Sequence, residues 1–209
     1  MHELENNYGL EFTNDWQEFT VGQMGELLNV AKAIRDTVGG IDNFLKAWGG
    51  TKIQRHNNND NTCGSALCGG ADSIDIYNQF YDGSAGNYPT FHDLAHEFGH
   101  VWDFRNKVQL SARMANDVGS TFSAQGCDVS SYLNSCTGFD WRPGPGTLPS
   151  GSYANASMVE DFAEAFALWV TFGEDPNYYG IKATTYTDQQ FGRRIISIQR
   201  QWYNFANGH

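Results

Sequence analysis

Apolar residues recur at helical spacing along several stretches of the chain. Met24, Leu27, Leu28, Ala31 and Ile34 share one face of a helix predicted over 21–38, opened by Thr20 as N-cap and closed by Gly39-Gly40. A short helix is predicted over 41–48, ended by Gly49-Gly50. Thr90-Phe91-His92-Asp93 reads as a capping box opening a helix that runs to about 105. A further helix is predicted over 112–117. Ser157 caps another to about 171, whose core face carries Phe162, Phe166, Trp169 and Val170. Thr187 opens a last one, with Phe191, Ile195, Ile198, Trp202 and Phe205 near helical spacing.

Between these stretches the period changes or disappears. Residues 1–19 read as an irregular or partly extended arm, 52–55 as a strand and 56–68 as a polar loop. Residues 73–80 set Ile74 and Ile76 against Asp75, Tyr77 and Gln79, the alternation of a half-exposed strand. Residues 119–156 form a long connection rich in Gly, Ser and Pro, a length that points to function or to bridging by cysteines. The pattern predicts an α+β chain, mostly helical, with a small mixed sheet. With 209 residues it is expected to form one domain, built as two lobes around one cleft, approximately 1–105 and 106–209.

Composition narrows the classes. Hydrophobic residues make up 40% and aromatics 14%, enough for a real core. The formal net charge of −11 speaks against binding a phosphate backbone, so no nucleic-acid partner is expected. No apolar run approaches the roughly 20 residues of a membrane span. The start, Met1-His2-Glu3-Leu4-Glu5, lacks the apolar core of a signal peptide, so an export signal is expected to be absent from this chain. The cysteines Cys63, Cys68, Cys127 and Cys136 lie in loops rich in Gly, Ser and Asn. Their spacing favours two local disulfides, Cys63–Cys68 and Cys127–Cys136, over a structural zinc site, which prefers closer pairs. With few Lys and many Asn, Gly and Tyr, they point to a secreted, extracellular protein. The run Asn57-Asn58-Asn59-Asp60-Asn61 lacks the alternating acids of a calcium loop and reads as solvated. Asn155-Ala156-Ser157 fits the short glycosylation pattern, which is frequent by chance.

The chemistry concentrates at His96-Glu97-Phe98-Gly99-His100, which is H-E-x-x-H. Positions i and i+4 of a helix lie on one face about 6 Å apart along the axis, so two imidazoles stand side by side over one ion. Glu97 adjoins the first ligand. A zinc ion there lowers the pKa of a water toward about 7, and the carboxylate takes its proton as the water attacks a carbonyl. Two surface histidines at this spacing by chance are the alternative. Against it stand the capped helix, the scarcity of histidine (6 in the chain) and an acidic helix downstream. His92 extends the row, but i and i+8 are about 12 Å apart, too far for one tetrahedral ion. It reads as a cleft-rim or capping residue.

A third ligand must come from elsewhere. The metzincin spacing needs Gly at 103 and His at 106, where this chain has Asp103 and Asn106. Glu160 and Glu164 stand at i and i+4, on a face shared with Ala163 and Ala167, small enough for close helix approach. The arrangement puts Glu160 on the metal and Glu164 as acceptor for a ligand imidazole N–H. An ordinary solvated acidic face is the alternative. Glu160 also fits the N3 position of a Ser157 capping box, a role in competition with metal binding.

These residues resemble the gluzincin metallopeptidases, and within them the anthrax lethal factor and Pro-Pro endopeptidase family. That family carries H-E-F-G-H followed by a helix reading E-x-F-A-E-A-F. This chain has His96-Glu97-Phe98-Gly99-His100 and Glu160-Asp161-Phe162-Ala163-Glu164-Ala165-Phe166, so the resemblance covers about residues 90–172. It implies a zincin-like fold around an active-site helix, Glu160 as zinc ligand, and Tyr153, seven residues before Glu160, as the group that supports the oxyanion. The loop with Cys127 and Cys136 departs from the family, so substrate identity is not carried over. Aspzincins also have H-E-x-x-H with a later G-T-x-D-x-x-Y-G, but Pro176 occupies the Asp position here.

The expectation is therefore a monomeric zinc-dependent metalloendopeptidase acting on a peptide or protein substrate. His96, His100 and Glu160 hold one Zn2+, Glu97 is general base and then proton donor, and Tyr153 supports the oxyanion. Substrate is expected to add as a strand along an edge strand at 73–80. The rival from another class is a non-catalytic zinc-binding pseudo-peptidase or binding module on the same scaffold.

Overall fold

The computed structural model describes residues 1–13, 19–56, 67–77, 91–124, 139–142, 156–174 and 189–209. The elements are α1 (His2–Tyr8), β1 (Glu11–Phe12), α2 (Val21–Thr37), α3 (Ile41–Trp48), β2 (Lys52–His56), β3 (Leu67–Gly69), β4 (Ser73–Tyr77), α4 (Phe91–Arg105), α5 (Gln109–Asp117), β5 (Thr121–Ala124), β6 (Phe139–Arg142), α6 (Met158–Glu174) and α7 (Gln189–Asn207). The architecture is α+β, mostly helical, with a small mixed sheet. Among the described residues no helix is long and apolar enough to cross a membrane. The chain divides into two compact units, Met1–Trp102 and Asp103–His209.

In the first unit α1, α2 and α3 pack on one another. Thr20 caps α2 as its side chain predicts. Its Oγ1 accepts from the Gln23 N–H at 3.2 Å, and Gln23 Oε1 accepts from the Thr20 N–H at 2.8 Å, a complete capping box. The helix buries Leu27, Val30, Ala31, Ala33 and Ile34. The arm expected at 1–19 is instead α1 followed by β1. Leu4 and Tyr8 sit one turn apart and are buried, and Gly9 ends the helix in the left-handed conformation at φ 62°. Two apolar residues over two turns, with no side-chain cap, are too weak a pattern to read as a helix.

The sheet runs β1-β2-β4-β3, with β1–β2 and β2–β4 parallel and β4–β3 antiparallel. Ile53 pairs with Ile74, and both point into the core, as does Ile76. This corrects the edge expected at 73–80: β4 (Ser73–Tyr77) lies between two strands, and among the described residues β3 is the end strand. The loop expected at 56–68 likewise gives way to β3 from Leu67, which places Cys68 in a strand.

In the second unit α5, α6 and α7 pack pairwise. Val108, Ala115, Met158 and Val159 form a buried cluster, with Phe104 and Ala112 packed against it. The connection expected at 119–156 contains an antiparallel pair, β5 with β6, in which Thr121 faces Arg142 and Ala124 faces Phe139. Helix α5 starts at Gln109, a turn earlier than the pattern indicates. Asp103 supplies the cap: its Oδ1 accepts from the Leu110 and Ser111 N–H groups, each at 3.0 Å. The turn between is strained, since Lys107 and Val108 adopt φ of 56° and 61°. A β-branched residue such as Val108 rarely takes that conformation.

Candidate metal centre

Helix α4 is fixed by its aromatic side. Phe98 and Trp102 are fully buried, one turn apart. Trp48 packs on both, with ring centroids 6.5 Å and 6.2 Å away, and Phe44 joins at 6.2 Å from Phe98. The Trp48 indole N–H also donates to the Phe98 carbonyl at 2.8 Å, inside the H-E-x-x-H turn. Two residues along a helix is about 200°, so this anchored face lies opposite the one bearing His96 and His100.

The two imidazoles then stand as the spacing predicts. Their ring centroids are 4.6 Å apart and the planes meet at 82°. His96 is 4% exposed and His100 6%. His96, His100 and Glu160 each offer a ligand atom, and these atoms lie within 4.8 Å of one another. Among the described residues this is the one set of three or more His, Cys, Asp or Glu side chains arranged to hold a metal ion. Two imidazoles and a carboxylate are a donor set that divalent transition metals, zinc among them, accept. Ligand atoms about 2.1 Å from a tetrahedral ion lie about 3.4 Å apart, a separation that falls within the 4.8 Å bound of this set.

Glu160 reaches its place through the start of α6. Ser157 Oγ accepts from the Glu160 backbone N–H at 3.3 Å. This bond is the main-chain half of the expected capping box, and the Glu160 carboxylate offers a ligand atom to the group of three. Glu97 is 7% exposed, and Gly69 of β3 lies against it. Glu164 is also buried, at 5%. His92 is 4% exposed, which corrects its reading as a rim residue. Tyr153, Cys63, Cys127 and Cys136 lie outside the described residues. Cys68 is disulfide-bonded.

Helix α6 is held in turn by residues the sequence pattern did not single out. Arg194 Nε donates to Asp161 Oδ1 at 2.8 Å, with the side chains 2% and 1% exposed. Burial pushes the Asp161 carboxyl above its ordinary pKa. The Arg194 hydrogen bond and charge pull the other way, and the charge of Glu164 adds to the rise. Asp161 follows a metal-ligand candidate directly, and an acid next to an acid reads from sequence as solvated surface. Its partner stands 33 residues away, on α7.

The chain matches no protein-family model, no curated protein and no solved structure. The functional reading therefore stands on the motif and on the donor geometry.

Proposed function

We propose that this chain is a secreted, zinc-dependent metalloendopeptidase of the gluzincin type. The observation that carries the reading is the convergence of His96, His100 and Glu160 to within 4.8 Å, with the buried Glu97 next in sequence to His96. His96, His100 and Glu160 hold one zinc ion, which when bound supplies a Lewis acid that polarises a peptide carbonyl and brings the pKa of a water toward about 7.

The protein's own groups do the rest. Glu97 takes a proton from the attacking water as its oxygen bonds to the carbonyl carbon. The same carboxyl then delivers that proton to the departing nitrogen as the C–N bond breaks. Tyr153, by the family resemblance, donates a hydrogen bond to the oxyanion of the tetrahedral intermediate. Glu164 accepts the ring N–H of a ligand imidazole and fixes its orientation. Among the described residues β3 pairs only with β4, so its other edge is the place for an extended peptide to add as a strand.

Incubation of the wild type and of Glu97→Ala with a peptide library, followed by mass spectrometry, tests this reading. Wild type is expected to give products with a consistent cleavage preference, and the variant none. Equal cleavage by the two would refute the assignment of the base.

A further inference from the structure

Strand β3 meets helix α4 with no side chain between them. A Cβ built on Gly69 would lie 2.7 Å from Glu97 Oε2, 2.8 Å from the Glu97 carbonyl oxygen and 2.9 Å from His100 Cβ. Non-bonded heavy atoms prefer about 3.5–4.0 Å. Gly69 is not among the glycines with positive φ, so the neighbours and not the backbone angle demand glycine here. The carbonyl oxygen and His100 Cβ are fixed to the helix, and only the carboxylate can swing away. The next residue differs: a Cβ on Gly70 would meet Ser73 Oγ and the Ser73 carbonyl oxygen at 3.6 and 3.7 Å, ordinary contacts.

We infer that Gly69 is the positioning residue for the base Glu97: its bare backbone lets β3 lie directly on the H-E-x-x-H turn and sets where the carboxylate rests. The inference rests on the peptidase reading for Glu97's role. A methyl group at 69 displaces the carboxylate or lifts β3 from α4. Helix α4 is pinned from its other face by Trp48 against Phe98 and Trp102, so β3 gives way and His96 and His100 keep their places on the helix. A shift of about 1 Å at a reacting group can cost about 100-fold in rate.

The test pairs Gly69→Ala with Gly70→Ala and reads kcat, KM and zinc per chain. Gly69→Ala is expected to lower kcat by about 100-fold with zinc content unchanged and only a small rise in KM, since the substrate-binding edge of β3 moves less than the reacting carboxylate, while Gly70→Ala behaves as wild type. Wild-type turnover in Gly69→Ala, or loss of zinc in step with turnover, overturns the proposal. A second readout needs no activity: thermal melting of the metal-free chains. Gly69→Ala is expected to lower Tm by several degrees and Gly70→Ala to leave it unchanged, and equal melting of the two variants overturns the close approach of β3 to α4. In a Glu97→Ala background the contact to Oε2 is gone while those to the carbonyl oxygen of residue 97 and to His100 Cβ remain, so most of the fall in Tm is expected to persist, and its disappearance overturns the backbone approach. Should Gly69→Ala fail to fold, Leu67→Ala loosens β3 without adding an atom at 69; it is expected to lower kcat with zinc retained, and wild-type turnover there overturns the proposal. If the wild type cleaves nothing, the peptidase reading falls, and the melting comparison of positions 69 and 70 still decides whether β3 lies directly on α4.

Discussion

Trp48 donates its indole N–H to the carbonyl of Phe98 across 2.8 Å, and both side chains are fully buried. The bond ties α3 to the middle of the turn that carries both imidazoles. Trp48→Phe keeps most of the ring packing and removes the donor. It is expected to cost about 1 kcal/mol, a fall in Tm of about 2–4 °C, with zinc content unchanged. Melting with elemental analysis checks this. An unchanged Tm would mean that packing alone anchors the helix.

The buried pair of Asp161 and Arg194 joins α6 to α7. Arg194→Met leaves a carboxylate in the interior and is expected to destabilise the chain by about 3–5 kcal/mol. Arg194→Met/Asp161→Leu removes both charges and should recover most of that loss. Denaturant melts of the three proteins measure the coupling. A double variant no more stable than the single would show that neighbouring groups, and not the bare charge, set the cost.

The two glutamates of α6 make opposite demands. Glu160→Ala is expected to abolish zinc binding, whereas Glu164→Ala should bind zinc about 10–100-fold more weakly, as loss of a hydrogen bond to a ligand does. Titration with a competing chelator separates the cases. Complete zinc loss in Glu164→Ala with retention in Glu160→Ala would reverse the ligand assignment. Tyr153→Phe should keep zinc and lower turnover.

Much of this was legible in the sequence because the signals were local. Thr20, and Ser157 before Glu160, announce helix starts through their own side chains. The i,i+4 spacing of His96 and His100 carries their geometry with it. What stayed hidden depends on distant partners. Asp103 looked only like a break in a metzincin pattern, yet its carboxylate caps α5 from 7 and 8 residues away. Residues 73–80 carried the alternation of a strand, but alternation says nothing about which strand ends the sheet. The glycine at 69 had no sequence signal, because its reason is an approach by α4 that no local pattern encodes.

The disulfide at Cys68 sits one residue before that glycine. Peptide mapping without reduction is expected to recover Cys68 joined to Cys63, as their spacing favours. Linkage to Cys127 or Cys136 would instead tie β3 to the part of the chain between β5 and β6.

The central claim is that two imidazoles and a carboxylate from α6 hold one zinc ion. The most direct measurement is zinc per chain, by elemental analysis of natively purified protein and of the same protein re-supplied with metal. One zinc per chain is the predicted result. None in either preparation would contradict the account.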